Sequence, residues 1–291
     1  MGICVPVNRS KNGLSPHHNL AWDIAEKKPE YKQDLGGLEA LCNEVRFKQH
    51  VIISSETFSS YPKCFFKLVN ALKADGHRVT SVFVVRNQLS LMNSAYTQRV
   101  KTFNINASFD EYFINAVKEA RYNNFQFYKE LWATQAENTL LPYSTENLLR
   151  DFMLAVNIEK DKREFEIINS KPNSSPNNYE IELLRKLSVQ LQSSGKSFQR
   201  CFEIVRSHLS KSKVLFEKEI FWGPTPEQKR VVEDLYGRVN QDFLTKFDLP
   251  TGSLDMPDKK RTCIDSVNSL SPGERTELER ISAKVLADVL S

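Results

Sequence analysis

Apolar positions recur along this chain at two spacings, and the change from one to the other marks its elements. Most of Leu38, Leu41, Cys42, Val45 and Phe47 share one helical face. Val51-Ile52-Ile53 is a short β-branched run ending at Ser54-Ser55 and reads as a buried strand. A helix is predicted from Cys64 to Ala74, stopped by Asp75-Gly76. Val79-Thr-Ser-Val-Phe-Val-Val85 carries the strongest strand pattern, apolar on both faces, as an interior strand of a parallel sheet requires. Helical spacing resumes over 88–102, with Leu91, Met92, Ala95 and Val100 inward, and again over 109–136. Thr139-Leu-Leu-Pro-Tyr143 reads as another short strand, with Pro142 confined to its end.

The second half is helical. A polar loop over 169–178 leads into helices at about 179–192 and 225–245, and a linker is expected over 251–270. Ser271-Pro-Gly-Glu274 is a capping box with Pro at the first helical position. It opens a tail helix striped by Leu278, Ile281, Val285, Leu286 and Val289. Strands alternating with helices predict an α/β fold with right-handed crossovers: a three-layer parallel sheet flanked by helices. The expected organisation is an α/β domain over 1–250, the linker, and a C-terminal amphipathic helix over 271–291.

Composition narrows the class. The 291 residues are 40% hydrophobic and 26% charged, which excludes a disordered or collagen-like chain. The 40 basic and 36 acidic side chains leave a net charge of +4, too mild and dispersed to call for nucleic acid. No apolar run is long enough to span a membrane, and residues 1–10 lack a secretory pattern. Cysteines at 4, 42, 64, 201 and 263 form no Cys-x-x-Cys, and histidines at 17, 18, 50, 77 and 208 form no His-Glu-x-x-His. The expectation is a reducing, cytoplasmic setting with no metal and no disulfide framework. Oligomeric state has no signature in the sequence.

Two motifs bear on anion binding. Gly195-Lys196-Ser197 imitates the end of a phosphate loop, but position 190 is Gln where that loop needs Gly, and a helix precedes it instead of a strand. It reads as a solvated helix end. The informative stretch is Val82-Phe-Val-Val-Arg86-Asn87-Gln88, followed by Ser94, Tyr96, Gln98 and Lys101. A strand ending on Arg, with a helix hydroxyl two turns along, makes a charge-assisted phosphate site at the carboxyl end of a strand. The same spacing also fits an Arg salt-bridged at a strand end and a Ser facing solvent.

This Arg86-x7-Ser94 block resembles the 3′-phosphate-binding segment of PAPS-dependent sulfotransferases, in the bacterial branch of the P-loop sulfotransferase fold. Val51-Ile-Ile-Ser-Ser-Glu56-Thr-Phe58, Pro16-His17-His18-Asn-Leu20-Ala21, the polar run from Asn169, Glu182-Leu-Leu-Arg185 and Val239-Asn240-Gln-Asp-Phe-Leu are similar to further segments of that family, in the same order. The resemblance covers roughly residues 3–245. It implies a P-loop NTPase-like α/β fold, PAPS as co-substrate, and a carbohydrate or small-molecule acceptor. It makes Arg86 and Ser94 the nucleotide anchor, with Gln98 and Lys101 beside them. Glu56 becomes the general base, with His17 the alternative base. Each base has a plainer role as well: Glu56 as a surface helix cap, His17 and His18 in loop packing or acceptor contact.

Family members open with a strand and a Lys-Thr-Gly-Thr-like loop around the 5′-phosphosulfate, and no such loop precedes His17. The expectation is a chain without its first strand, loop and first helix, through a late-assigned start, a truncated gene or a degenerate relative. An active sulfotransferase and a non-catalytic protein keeping a nucleotide half-site therefore both stand. A basic interaction module unrelated to nucleotides is the third reading.

Overall fold

The structure, a computed structural model, describes residues 18–24, 31–56, 58, 62–119, 137–143, 148–157, 175–215, 219–264 and 269–290. Among the described residues it is α/β and 60% helical, with one small two-stranded parallel sheet. Helices rather than sheet layers therefore build the cores. The chain forms two compact units: Met1–Val84 with Asn124–Glu159, and Val85–Asn123 with Lys160–Ser291. This division cuts across the stretch 1–250 expected as one domain, and it groups the C-terminal helix with the second unit.

The first unit holds helices α1 (His18–Ile24), α2 (Leu38–Val45) and α3 (Pro62–Ala74). Leu20, Ala21, Leu41, Val45, Cys64, Leu68 and Leu72 close around one another as its core. Buried Asn19 fixes the following segment by accepting from Lys32 N at 2.8 Å and donating to Gly36 O at 2.7 Å. Asp23 Oδ2 accepts from Leu38 N, at 2.9 Å, at the start of α2. Gly76, at φ 85°, takes the left-handed conformation that ends α3.

Strands β1 (Thr80–Val85) and β2 (Glu137–Pro142) pair in parallel, and helix α6 (Leu148–Ala155) packs on β2. Pro142 ends β2, where its missing N–H breaks no ladder. The expected interior strand is not seen as such: among the described residues β1 has one strand neighbour, and Val84 is 43% exposed. β-Branched content favours an extended pleat but does not count neighbours. Likewise Val51 makes only a single bridge, and Ile52 and Ile53 form no strand. Val51 and Ile53 instead pack against the first unit's core as an irregular segment.

The second unit holds α4 (Gln88–Lys101), α5 (Phe109–Lys118), α7 (Asn178–Lys186), α8 (Ser188–Ser193), α9 (Phe198–Leu209), α10 (Pro226–Lys246) and α11 (Pro272–Leu290). Capping boxes set three starts: Ser108 with Glu111, Asn177 with Glu180, and Thr225 with Gln228. Ser271 and Glu274 make the same reciprocal bonds at 3.3 and 2.8 Å ahead of α11. The expected 179–192 helix breaks at Leu187 into α7 and α8. The 109–136 helix is seen as α5, and residues 120–136 lie outside the described ones.

α9 packs on α4, α7 and α11, and α10 on α4. Leu278, Ile281, Val285 and Val289 of the tail helix are buried in this core, as their spacing predicts. The stretch 251–264, expected as a linker, is anchored here: Leu254 is buried, Arg261 pairs with Asp110 at 2.9 Å, and Thr262 Oγ1 accepts from Trp222 N at 2.7 Å. Gly195 to Ser197 is a helix junction, as expected. Gly195 is left-handed at φ 69°, Ser197 caps α9, and Lys196 Nζ donates to Asp288 O at 3.1 Å.

Candidate functional site

α4 organises the site residues through what it buries. Asn87 caps it, its side chain accepting from Ser90 N at 2.8 Å, so the helix begins directly after Arg86. Leu89, Met92, Tyr96 and Val100 fall on the inward face and are enclosed. Ser94 and Gln98, one turn apart, are thereby turned outward and exposed. Arg86 is half-buried at the N-terminal end of the same helix. An arginine past the strand followed by an exposed helix serine fits both the phosphate-anchor expectation and the plainer one of a Ser facing solvent.

Lys101 goes elsewhere. Its Nζ lies 4.9 Å from the Phe202 ring centre, on α9, and the Arg206 guanidinium lies 4.4 Å from the same ring. Burial, and then repulsion from Arg206, pull the Lys101 pKa below the ordinary lysine value. Arg206 is committed to buried Glu180 through bonds of 2.6 and 3.2 Å. Lys101 therefore belongs to the α4–α9 seam rather than to the open face of Ser94 and Gln98. Glu56 lies in the first unit and is exposed. His17 lies outside the described residues.

The sequence reading missed a small, partly open cavity in the second unit, about 50 Å³ in volume. Tyr96, Asp110, Glu182, Arg185, Arg261 and Cys263 are among its lining residues. Tyr96 and Arg185 belong to two of the segments that carry the resemblance, and they meet here across the unit's core. Both guanidiniums are already neutralised. Arg185 donates to Glu182 Oε2 at 2.8 and 3.1 Å, and Arg261 donates to both Asp110 oxygens and to Gly223 O. Lys186 Nζ lies 3.2 Å from the other Glu182 oxygen. Tyr96 donates its hydroxyl to Ala107 O at 3.0 Å, and burial drives its phenol pKa well above the ordinary tyrosine range.

Size and charge decide what this cavity can do. Nucleotide-sized ligands need roughly 300–1,000 Å³, and a buried water needs about 10–15 Å³. A charge-balanced 50 Å³ space between structural ion pairs has room for water rather than a nucleotide, and both of its guanidiniums are already paired. Arg185 entered the sequence reading only within the Glu182-Leu-Leu-Arg185 segment, with no role in a site. Arg261 gave no signal, because it sits in a stretch that reads as a linker.

Among the described residues no group of three or more His, Cys, Asp or Glu side chains is arranged to hold a metal ion. No helix among them is long and apolar enough to cross a membrane. Compared with known proteins, the chain matches no family model, no curated protein and no solved structure.

Proposed function

We propose that the chain is a sulfotransferase-like protein whose Arg86 and Ser94 hold the 3′-phosphate of PAPS. In this reading a sulfuryl group passes from PAPS to a hydroxyl or amine of a carbohydrate or small-molecule acceptor. The finer fold inferred with it is the three-layer P-loop sulfotransferase fold, of which β1 and β2 form one parallel pair. One observation carries the reading: a half-buried arginine follows β1, a capped helix opens directly after it, and Ser94 faces outward two turns along. Guanidinium and hydroxyl suit a dianionic phosphate, which takes a fork of N–H donors and a further O–H donor. Helical rise separates Ser94 from the start of α4 by about 9 Å, a gap that a long arginine side chain and a phosphate can bridge together.

Gln98, one turn beyond Ser94 on the same exposed face, is placed toward the nucleotide or the acceptor. The described residues fit only the 3′-phosphate half of PAPS; none is assigned to its phosphosulfate. When bound, PAPS supplies the activated sulfuryl group, and the protein's contribution is alignment and charge stabilisation, by analogy with phosphoryl transfer.

The second reading, a non-catalytic protein keeping a nucleotide half-site, is favoured by the place of Glu56. Glu56 is exposed, which fits its plainer role as a surface helix cap. Calorimetric titration with adenosine 3′,5′-bisphosphate tests what both readings share. Saturable binding that Arg86→Ala abolishes supports them; equal affinity in the variant removes both.

A further inference from the structure

α4 carries a second device besides its apolar stripe. Gln88, in its first turn, is buried, and so is Asn240, toward the end of α10. Their amides bond reciprocally: Gln88 Nε2 donates to Asn240 Oδ1 at 2.7 Å, and Asn240 Nδ2 donates to Gln88 Oε1 at 3.0 Å. A turn and a half on, Asn93 does similar work. Its Oδ1 accepts from Gly223 N at 2.9 Å, and its Nδ2 donates to Phe221 O at 3.3 Å.

Apolar contacts are non-directional, so Leu89, Met92 and Val100 alone tolerate small rotations and slides of α4. A reciprocal amide pair does not, since both bonds form in one register and every other register strands buried donors and acceptors. Gln88 lies two residues after Arg86 and six before Ser94, between the two groups whose separation matters.

We propose that Gln88 and Asn240 form a positioning pair that fixes the rotation and register of α4, and so the placement of Ser94 relative to Arg86. This rests on the phosphate-anchor reading above. The pair touches no ligand and acts through the helix that it locks.

The test separates positioning from mere stability. In Gln88→Met with Asn240→Leu, both partners become apolar groups of similar shape, so no buried polar group is orphaned and stability can stay close to wild type. If one tenth of the α4 population keeps the binding register, affinity for adenosine 3′,5′-bisphosphate falls about tenfold while the urea midpoint is unchanged. The swap Gln88→Asn with Asn240→Gln rebuilds the pair and restores affinity to within about twofold on the same argument. Wild-type affinity in the apolar double variant, at wild-type stability, overturns the proposal. Should that variant not fold, Asn240→Ser, which stays neutral and removes the reciprocal amide pairing, carries the same comparison.

If the wild type binds no nucleotide, the anchor reading fails by itself, and amide hydrogen exchange over residues 91–101 decides the positioning claim. Faster exchange in the double variant at an unchanged midpoint upholds it, and identical exchange refutes it.

Discussion

Replacing Tyr96 by Phe removes one hydroxyl from an enclosed aromatic cluster and leaves the ring in place. Tyr96 is 1% exposed, with ring centres of Phe109, Tyr112 and Phe221 at 5.3, 5.4 and 5.6 Å. The hydroxyl donates to Ala107 O, which is itself only half-buried. Water can partly replace the lost donor, so the cost at neutral pH is about 1 kcal/mol.

The pH dependence is the sharper test. Burial raises the Tyr96 pKa in the folded chain, while the unfolded chain ionises near the ordinary value of about 10. The contribution of a raised group is complete below the unfolded pKa and is lost as pH climbs toward the folded one. Above pH ~10, Tyr96 therefore lowers wild-type stability by about 1.4 kcal/mol per pH unit, and the Phe variant lacks this loss. The 1 kcal/mol deficit of the variant closes near pH ~11, and above that pH the variant is the more stable protein. Urea unfolding of both proteins from pH 7 to 11.5 measures the difference, in which the other tyrosines cancel. A constant gap across that range refutes the claim that a dehydrated phenol packs this core.

Two further predictions concern the same unit. Ile281, 1% exposed, is surrounded by the core that receives α11, so Ile281→Ala costs about 2–5 kcal/mol, read as a lower urea midpoint. Gly223→Ala would drive a methyl group into the Phe109 ring where Asn93 and Arg261 already hold the backbone on both sides. It lowers the stability by about 1–3 kcal/mol, read from the thermal midpoint.

Legibility in the sequence followed the kind of interaction. The α11 stripe was readable because helix burial repeats every three to four residues, and its cap because Ser271 and Glu274 act within one turn. The strand–Arg86–helix unit was readable for the same reason: all its signals are local. The number of strands beside β1 was not, since pairing joins residues far apart in sequence. Val51 to Ile53 look like a strand yet pack without a ladder, because β-branched side chains fill a core equally well in irregular backbone. Arg261 in an apparent linker, and Asn240 opposite Gln88, are long-range partners that no local pattern announces. Lys101 lies on the helical face of Ser94 by spacing alone. It was drawn off by Phe202, about one hundred residues away, whose ring offers a cation–π partner.

The central claim is that Arg86 anchors a nucleotide 3′-phosphate. Its most direct test is calorimetric titration of the full chain with adenosine 3′,5′-bisphosphate beside Arg86→Ala, with unfolding midpoints recorded for both. Saturable one-site binding in the wild type and none in the variant, at matched stability, is the expected result. Binding of equal affinity in the two proteins, or none in the folded wild type, contradicts it.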